Sequence, residues 1–187
     1  EQAYQLDLPW GAKAHIIAGV SHQNSAGIFD VMRGEEVQLV GLASLLENTN
    51  FSAAFPGTHS KHIQFEDGQI KSFASFMTGE VFGLLFKNSI LGKGLPEQVD
   101  DESAFMKGVI ESQTECLTNR IFAARTHRLF KQVEEQHVAD YLSGLLIGHE
   151  LRQLNAHHVY LVGGGALCKR YQVACETLNK SASIYSG

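Results

Sequence analysis

Between two apolar, β-prone runs, 51–55 and 61–65, lies the stretch Phe55-Pro56-Gly57-Thr58-His59-Ser60-Lys61. Gly57 has no Cβ, so its backbone can come close to an anion, and the Thr58 hydroxyl and neighbouring N–H groups can donate to phosphate oxygens. The same Gly-Thr pair after proline is also an ordinary tight turn. A second glycine turn, Gly163-Gly164-Gly165-Ala166, follows the buried-strand pattern His158-Val159-Tyr160-Leu161-Val162 and opens a helix to about Leu178. Bare backbone at the positive end of a helix dipole is a place where a nucleotide can lie. Acidic groups gather elsewhere: Asp30, Glu35 and Glu36 surround Arg33 at a loop-to-helix junction. A carboxylate there can take a proton from a substrate hydroxyl. Two glutamates in a first helical turn are equally what the helix dipole favours.

Other chemistries fit less well. The second glycine turn lacks the last glycine of a G-x-G-x-x-G fingerprint, and no βαβ unit with an acidic ribose ligand follows it, which argues against a dinucleotide fold. Nine histidines invite a metal reading. Yet His59 and His62 straddle a turn and a strand, His157 and His158 are adjacent, and no cysteine or carboxylate pair completes a zinc spacing. No protein metal cage is expected. Magnesium differs, because it keeps its waters, arrives with nucleotide phosphates and needs only one or two carboxylates such as Asp30, Glu35 or Glu36. Of three cysteines, Cys168 and Cys175 share a helical pattern and Cys116 stands apart, so reduced, buried thiols are expected rather than disulfides.

The elements that must position these residues read as follows. Ala14 to Val20 is a strand feeding an irregular loop from Ser21 to Gly27, and the polar run Asp30–Glu36 leads into a helix from about Glu35 carrying Leu39, Leu42 and Leu46. Strands on either side of the Gly57-Thr58 turn are followed by Asp67-Gly68, a two-residue hairpin signal, and a third strand from Ile70 to Phe76. Alternation puts Ile70, Ser72, Ala74 and Phe76 on one face and Lys71, Phe73 and Ser75 on the other. Thr78 is the expected N-cap of a helix through Ile90, and Thr78-Gly79 could instead touch a ligand. An acidic loop from Glu97 to Glu102 precedes three helices: one capped by Ser103, one from Leu117 to Phe130 and one from Glu134 to Leu154. In the last, Ser143-Gly144 and Gly148 are small residues one turn apart, open to a neighbouring backbone or a flat ligand. A final strand, Ser183-Ile184-Tyr185, completes an α/β chain with an inserted helical stretch.

At 187 residues and 44% apolar content the chain can bury one substantial core, or one domain and part of another. A formal charge of -5 with no basic run gives no field for nucleic acid. No apolar stretch approaches the roughly 20 residues that span a bilayer, and Glu1-Gln2-Ala3-Tyr4 lacks the features of a signal peptide, so the expectation is a cytoplasmic protein without a membrane partner. A terminal strand with no helix to cover it reads as part of a longer chain.

Taken in order, Val31-Met32-Arg33-Gly34-Glu35-Glu36-Val37-Gln38-Leu39-Val40-Gly41, Pro56-Gly57-Thr58-His59-Ser60-Lys61, Phe76-Met77-Thr78-Gly79-Glu80, Leu142-Ser143-Gly144-Leu145-Leu146-Ile147-Gly148 and Leu161-Val162-Gly163-Gly164-Gly165 resemble the 2-dehydro-3-deoxygalactonokinases. These are sugar-acid kinases of the actin, heat-shock-chaperone and sugar kinase superfamily. The resemblance covers most of the chain from about Ala14, although the middle helices carry no motif. It implies two ribonuclease-H-like lobes closing on ATP with Mg2+, and γ-phosphate transfer to the 6-hydroxyl of 2-dehydro-3-deoxy-D-galactonate in galactonate breakdown. Residues 1–48 would be a remnant of the first lobe and the interlobe region, and 49–187 the second, nucleotide-binding lobe without its last helix. Gly57 and Thr58, flanked by His59 and Lys61, would form the second phosphate loop, and Gly163, Gly164 and Gly165 the adenosine loop. Thr78, Gly79, Ser143, Gly144 and Gly148 would line the nucleotide side. Glu35 matches the placement of the base best, with Asp30 as second candidate. Arg33 would pair with the sugar carboxylate or steady the transferring phosphate. Such a protein is compatible with a homodimer.

One departure stands out: no Asp-x-Gly-Thr/Ser first phosphate loop is present, so this piece alone is expected to have no turnover. The alternatives are another sugar or small-acid kinase of the superfamily, or a non-enzymatic ATP-dependent binder like its actin and chaperone members.

Overall fold

In the computed structural model, which describes residues 3–46, 48–113 and 116–187, the first two glycine-flanked strands form the middle of a mixed sheet. The chain begins with two hairpins: β1 (Ala3–Asp7) pairs antiparallel with β2 (Lys13–Ile17), and β3 (Val20–Gln23) with β4 (Phe29–Met32). The expected strand from Ala14 to Val20 is therefore divided, and the expected loop after Val20 is half of a hairpin. Asn24 makes that hairpin, its side chain accepting from the N–H groups of Ala26 and Ile28. Helix α1 (Glu35–Leu46) follows, starting where expected.

Five strands then build one sheet in the order β7-β6-β5-β8-β9. β5 (Phe51–Phe55), β6 (Ser60–Glu66) and β7 (Gln69–Phe76) are antiparallel, while β8 (His158–Gly163) and β9 (Ser181–Ser186) run parallel to β5. Asp67 and Gly68 both take positive φ, 52° and 72°, as the tight β6–β7 turn requires. The alternation expected for β7 slips at Lys71, because the register jumps from Gln64↔Ser72 to Phe65↔Ile70. Ile70 and Phe73, assigned to opposite faces by strict alternation, consequently pack on the same core.

Helices cover both faces of the sheet. On one, Leu39 and Leu42 of α1 and Met32 of β4 pack on Ala53, Phe55, Ile63, Phe65, Phe73 and Val162. On the other, Ala54, Val159 and Leu161 meet α3 (Glu102–Glu111), α6 (Val138–Leu151) and α7 (Gly165–Thr177) through Phe105, Val109, Ile147 and Tyr171. Each fully buried leucine or valine contributes about 1.5–3 kcal/mol relative to an exposed one. A helical layer, α2 (Thr78–Asn88), α4 (Leu117–Ile121) and α5 (Ala123–Leu129), packs beside α6.

Several helix ends differ from expectation. Met77, not Thr78, occupies the N-cap of α2, and no side chain caps it. Asp101, not Ser103, caps α3, accepting from the Ala104 N–H at 2.6 Å. The helix expected from Leu117 to Phe130 is two short ones meeting at Phe122. A 3-10 turn over Glu135–His137 precedes α6. Cys168 and Cys175 are buried as expected, and burial pushes the Cys175 thiol up to about 12, whereas Cys116 is exposed. Among the described residues no helix is long and apolar enough to cross a membrane.

Candidate active site

Parallel pairing of β5 with β8 brings the C-terminal ends of both strands to one edge of the sheet, so the turns that follow them become neighbours. A Cβ on Gly163 would lie 3.5 Å from the Pro56 carbonyl oxygen. Gly163 has φ 152°, which disfavours any other residue there. Between the turns opens a cavity of about 360 Å³ lined by Glu35, Gln38, Phe55, Pro56, Gly57, Thr58, His59, Lys61, Val162 and Gly163. Gly57, Thr58, His59 and Lys61 of the first turn and Gly163 of the second thus share one cleft with Glu35, whereas Gly164 and Gly165 do not line it.

Two helices aim their N-terminal ends at this edge. α7 starts at Gly165 with Gly164 as an exposed N-cap bearing no side chain, which leaves its first N–H groups open. α2 starts beside the Gly57-Thr58 turn: the Glu80 N–H donates to the Thr58 carbonyl at 3.0 Å, and His59 bonds the Glu80 carboxylate. Gly79 fixes this contact, since a Cβ there would stand 2.5 Å from the Gly57 oxygen and 2.9 Å from the Thr58 Cα. Gly79 therefore lets α2 seat against the turn.

A second cavity of about 330 Å³ shares Gly57 with the first and runs between α2, α6 and α7. Thr78, Gly79 and Ser143 line it, together with Phe82, Leu146, Ile147 and Leu167. Its polar side is an ion pair that the sequence did not reveal: the Arg170 guanidinium donates to Asp140 Oδ1 at 2.6 Å and lies 4.5 Å over the Phe105 ring. In sequence a lone Asp in one helix and a lone Arg in another look like solvated surface. Gly144 and Gly148 are not brought to this cavity. They face α3, where a Cβ would stand 2.0 Å from the Phe105 oxygen and 2.5 Å from Ser112 Oγ, respectively.

The acidic candidates separate clearly. Asp30 lines neither cavity; its carboxylate accepts from the Ser75 N–H at 2.6 Å, the Ser75 hydroxyl and the Val31 N–H. Partial burial would raise its pKa, but those hydrogen bonds and the charge of Lys61 outweigh burial and hold it below the usual range. Glu36 is buried and accepts from the Gly34 N–H at 2.6 Å, as a helix-start residue does. Glu35 accepts the Arg33 N–H at 3.1 Å with Oε2 and lines the first cavity. It also lines an adjoining open cavity of about 610 Å³ with Gly19, Val20, Ser21, Val31, Met32, Arg33 and Lys61.

Behind the Gly57-Thr58 turn lies a buried network with no sequence signal. Glu150, 2% exposed, accepts from Ser60 Oγ at 2.6 Å and Tyr171 OH at 2.8 Å, and bonds His62 Nε2 at 2.8 Å. Burial and the Glu150 charge push the Tyr171 phenol up. The network ties β6 to α6 and α7 and so fixes the turn relative to the glycine loop. Polar residues at alternate strand positions, Ser60 and His62, ordinarily signal a solvent face. Among the described residues no group of three or more His, Cys, Asp or Glu could hold a metal ion.

A family model described as 2-keto-3-deoxy-galactonokinase matches residues 2–187. The chain is 34% identical over 185 residues to the 2-dehydro-3-deoxygalactonokinase of Escherichia coli strain K12, covering 95% of this chain and 62% of that protein. It is 34% identical over 158 residues to a Rhizobium meliloti strain 1021 protein assigned the same activity, covering 79% of this chain and 52% of the relative. A crystal structure of a Sinorhizobium meliloti protein assigned as a 2-dehydro-3-deoxygalactonokinase superposes with TM-score 0.86 at 28% identity, covering 97% of this chain and 64% of that one. The chain thus spans less than two thirds of the length of these relatives. Matched by the family model along nearly its whole length, the chain belongs to the 2-keto-3-deoxy-galactonokinase family.

Proposed function

We propose that the protein containing this chain is an ATP-dependent kinase that phosphorylates 2-dehydro-3-deoxy-D-galactonate at its 6-hydroxyl in galactonate catabolism. The observation that carries this reading is the cleft itself, in which the Gly57-Thr58 turn, Gly163 and Glu35 line one cavity. The acceptor is the one that the names of its relatives indicate. In this reading the phosphates lie on Gly57, Thr58 and His59, and the adenosine against Gly163, Gly164 and Gly165. Thr78 and Ser143 face the base-side cavity. Gly79 seats α2, and Gly144 and Gly148 hold α6 against α3 from behind.

Glu35 is the proposed base, since its carboxylate reaches the cleft and that of Asp30 is taken up by Ser75. Arg33, exposed and with a guanidinium free of partners among the described residues, is suited to the carboxylate of the sugar acid. Magnesium fits the donor set only as an ion carried by ATP, with Glu35 the nearest candidate carboxylate in the cleft; it would neutralise phosphate charge. The strand order, three antiparallel strands continued by two parallel ones with helices on both faces, supports a ribonuclease-H-like lobe over residues 49–187. Residues 1–48 are then a remnant of the first lobe and the interlobe region, with α1 seated on the sheet of the second lobe. The exposed Tyr4, Trp10, Phe29 and Val31 are the apolar surface such a boundary carries. Cytoplasmic location and a homodimer complete the proposal.

The test is ADP release by the full-length protein. Release that depends on added 2-dehydro-3-deoxy-D-galactonate is the expected result, and ATP hydrolysis indifferent to the sugar acid would transfer the reading to a non-enzymatic binder.

A further inference from the structure

Lys61 is out of place in chemical terms. It is only 7% exposed, at the cleft end of β6, between Phe55 and Ser75 on the neighbouring strands. A lysine with so deeply covered a stem ordinarily turns its ammonium to an ion pair, a hydrogen bond or water, and the Lys61 ammonium is not among the side-chain atoms shut off from solvent without a partner, so it opens on the cavities. Among the described residues the ammonium of Lys61 has neither ion pair nor hydrogen bond. Asp30 feels its charge, yet the Asp30 carboxylate is already bound by Ser75 and Val31. Lys61 lines the phosphate cavity and also the adjoining cavity that holds Arg33. Glu35 and Lys61 are the two residues common to both.

We infer that Lys61 is a catalytic residue at the junction of the donor and acceptor cavities, its ammonium held in reserve for the phosphoryl group in transit. The inference rests on the kinase reading and adds to it the residue that meets the transferring charge. The acceptor hydroxyl oxygen bonds to the γ-phosphorus of ATP as the bond from that phosphorus to the β,γ-bridging oxygen breaks. The electron pair of the broken bond stays on ADP, and the hydroxyl proton passes to Glu35. Lys61 keeps its protons throughout. A compact cation that faces both cavities can follow the equatorial oxygens from one to the other, a preorganised charge aimed at the group in transit. Arg33, exposed in the acceptor cavity alone, is left to the substrate carboxylate.

The experiment compares wild type with Lys61→Met in the full-length enzyme. Methionine suits a buried position, and with no partner bond to lose the variant should melt at or above the wild-type temperature. Its kcat should fall about a hundredfold or more, as on loss of one transition-state charge, with KM for ATP and for the sugar acid within about threefold of wild type. Calorimetry should show ADP binding unchanged, and the complex of ADP, aluminium fluoride and sugar acid, which mimics the transferring phosphoryl group, lost. A kcat within threefold of wild type overturns the inference, as does a rise in KM for ATP at constant kcat, which would make Lys61 an ordinary phosphate ligand. Failure of Lys61→Met to fold also overturns it, by making the ammonium a structural partner of Asp30. A wild type without sugar-acid-dependent turnover removes the kinase reading itself, and this inference with it.

Discussion

Gly164 and Gly165, at the cleft edge of the sheet, have nothing within 4 Å of where a Cβ would stand, whereas Gly108 and Gly144, in the seam between α3 and α6, have no room for one. At Gly144 the Cβ would lie 2.0 Å from the Phe105 oxygen, and at Gly108 2.1 Å from the Tyr141 oxygen. Both regions are rich in the same residue for opposite reasons. In the seam glycine lets two backbones touch; at the cleft it keeps a surface bare. The difference predicts a double dissociation, in which cleft substitutions change kcat or KM with little effect on stability and seam substitutions do the reverse.

The largest effect belongs to the cleft. Glu35→Gln in the full-length protein should lower kcat about a thousandfold, roughly 4 kcal/mol of barrier, while KM for ATP and the melting temperature stay near wild type. If Asp30→Asn produces that kinetic loss instead, the base is misassigned and the separation of the two carboxylates drawn above fails. The expected result for Asp30→Asn is a loss of stability of about 1–3 kcal/mol, because Ser75 and Val31 lose a charged acceptor.

Gly144→Ala should show the opposite profile. The added methyl must displace the Phe105 backbone, an overpacking that costs about 3 kcal/mol. Chemical denaturation would register it, and kcat of the folded fraction should be unchanged. A neutral Gly144→Ala with impaired ATP binding would return Gly144 to the nucleotide wall and undo the contrast between the two regions.

The seam also carries the clearest acid dependence. Partial burial would raise the pKa of Glu111, but hydrogen bonds from Lys107, His127 and Tyr141 outweigh it and depress the carboxyl from 4.5 to about 2. The folded state therefore holds the charge in a range where an unfolded chain binds a proton. The stabilisation is complete above about pH 4.5 and is lost as the pH falls toward 2. Glu111→Gln should remove this contribution to the slope of stability against pH in that window and leave the slope above pH 5 unaltered. Solvent screening makes the effect smaller than that of Gly144→Ala.

How much of this was legible beforehand depended on whether the signal was local. The strands 51–55, 60–66 and 69–76, the Asp67-Gly68 turn and the helix from Glu35 follow from alternation, a dipeptide and periodicity, all contained within a few residues. The bulge at Lys71 was hidden because a register shift is a property of two strands, and it moved Phe73 into the same core as Ile70. At the candidate site, Gly57, Thr58 and Gly163 could be named from residue type, whereas Glu35 was one of three acidic candidates with Asp30 and Glu36 until the family resemblance favoured it. Asp140 with Arg170, and Glu150 with Ser60, His62 and Tyr171, could not, since these partners are 21 to 90 residues apart and meet only through packing. The role of each glycine was equally hidden, because what a Cβ would strike is decided by another element.

The smallest expected effect is the most discriminating. Gly164 has φ -65° and ψ 129°, values any residue adopts, and open space where its side chain would be. Gly164→Ala should therefore be neutral or stabilising by about 0.5 kcal/mol, through loss of freedom in the unfolded chain. If a nucleotide lies on that bare backbone, the new methyl should raise KM for ATP by about three- to tenfold, as steric interference worth roughly 1 kcal/mol does, without a change in kcat at saturation. Unchanged KM together with a stabilised fold would mean that nothing lies against Gly164, and the openness of the cleft glycines would then be a feature of the turn alone. Comparing Gly164→Ala with Gly144→Ala asks one question of the same substitution in both regions: whether the space beside glycine belongs to the protein or to its ligand.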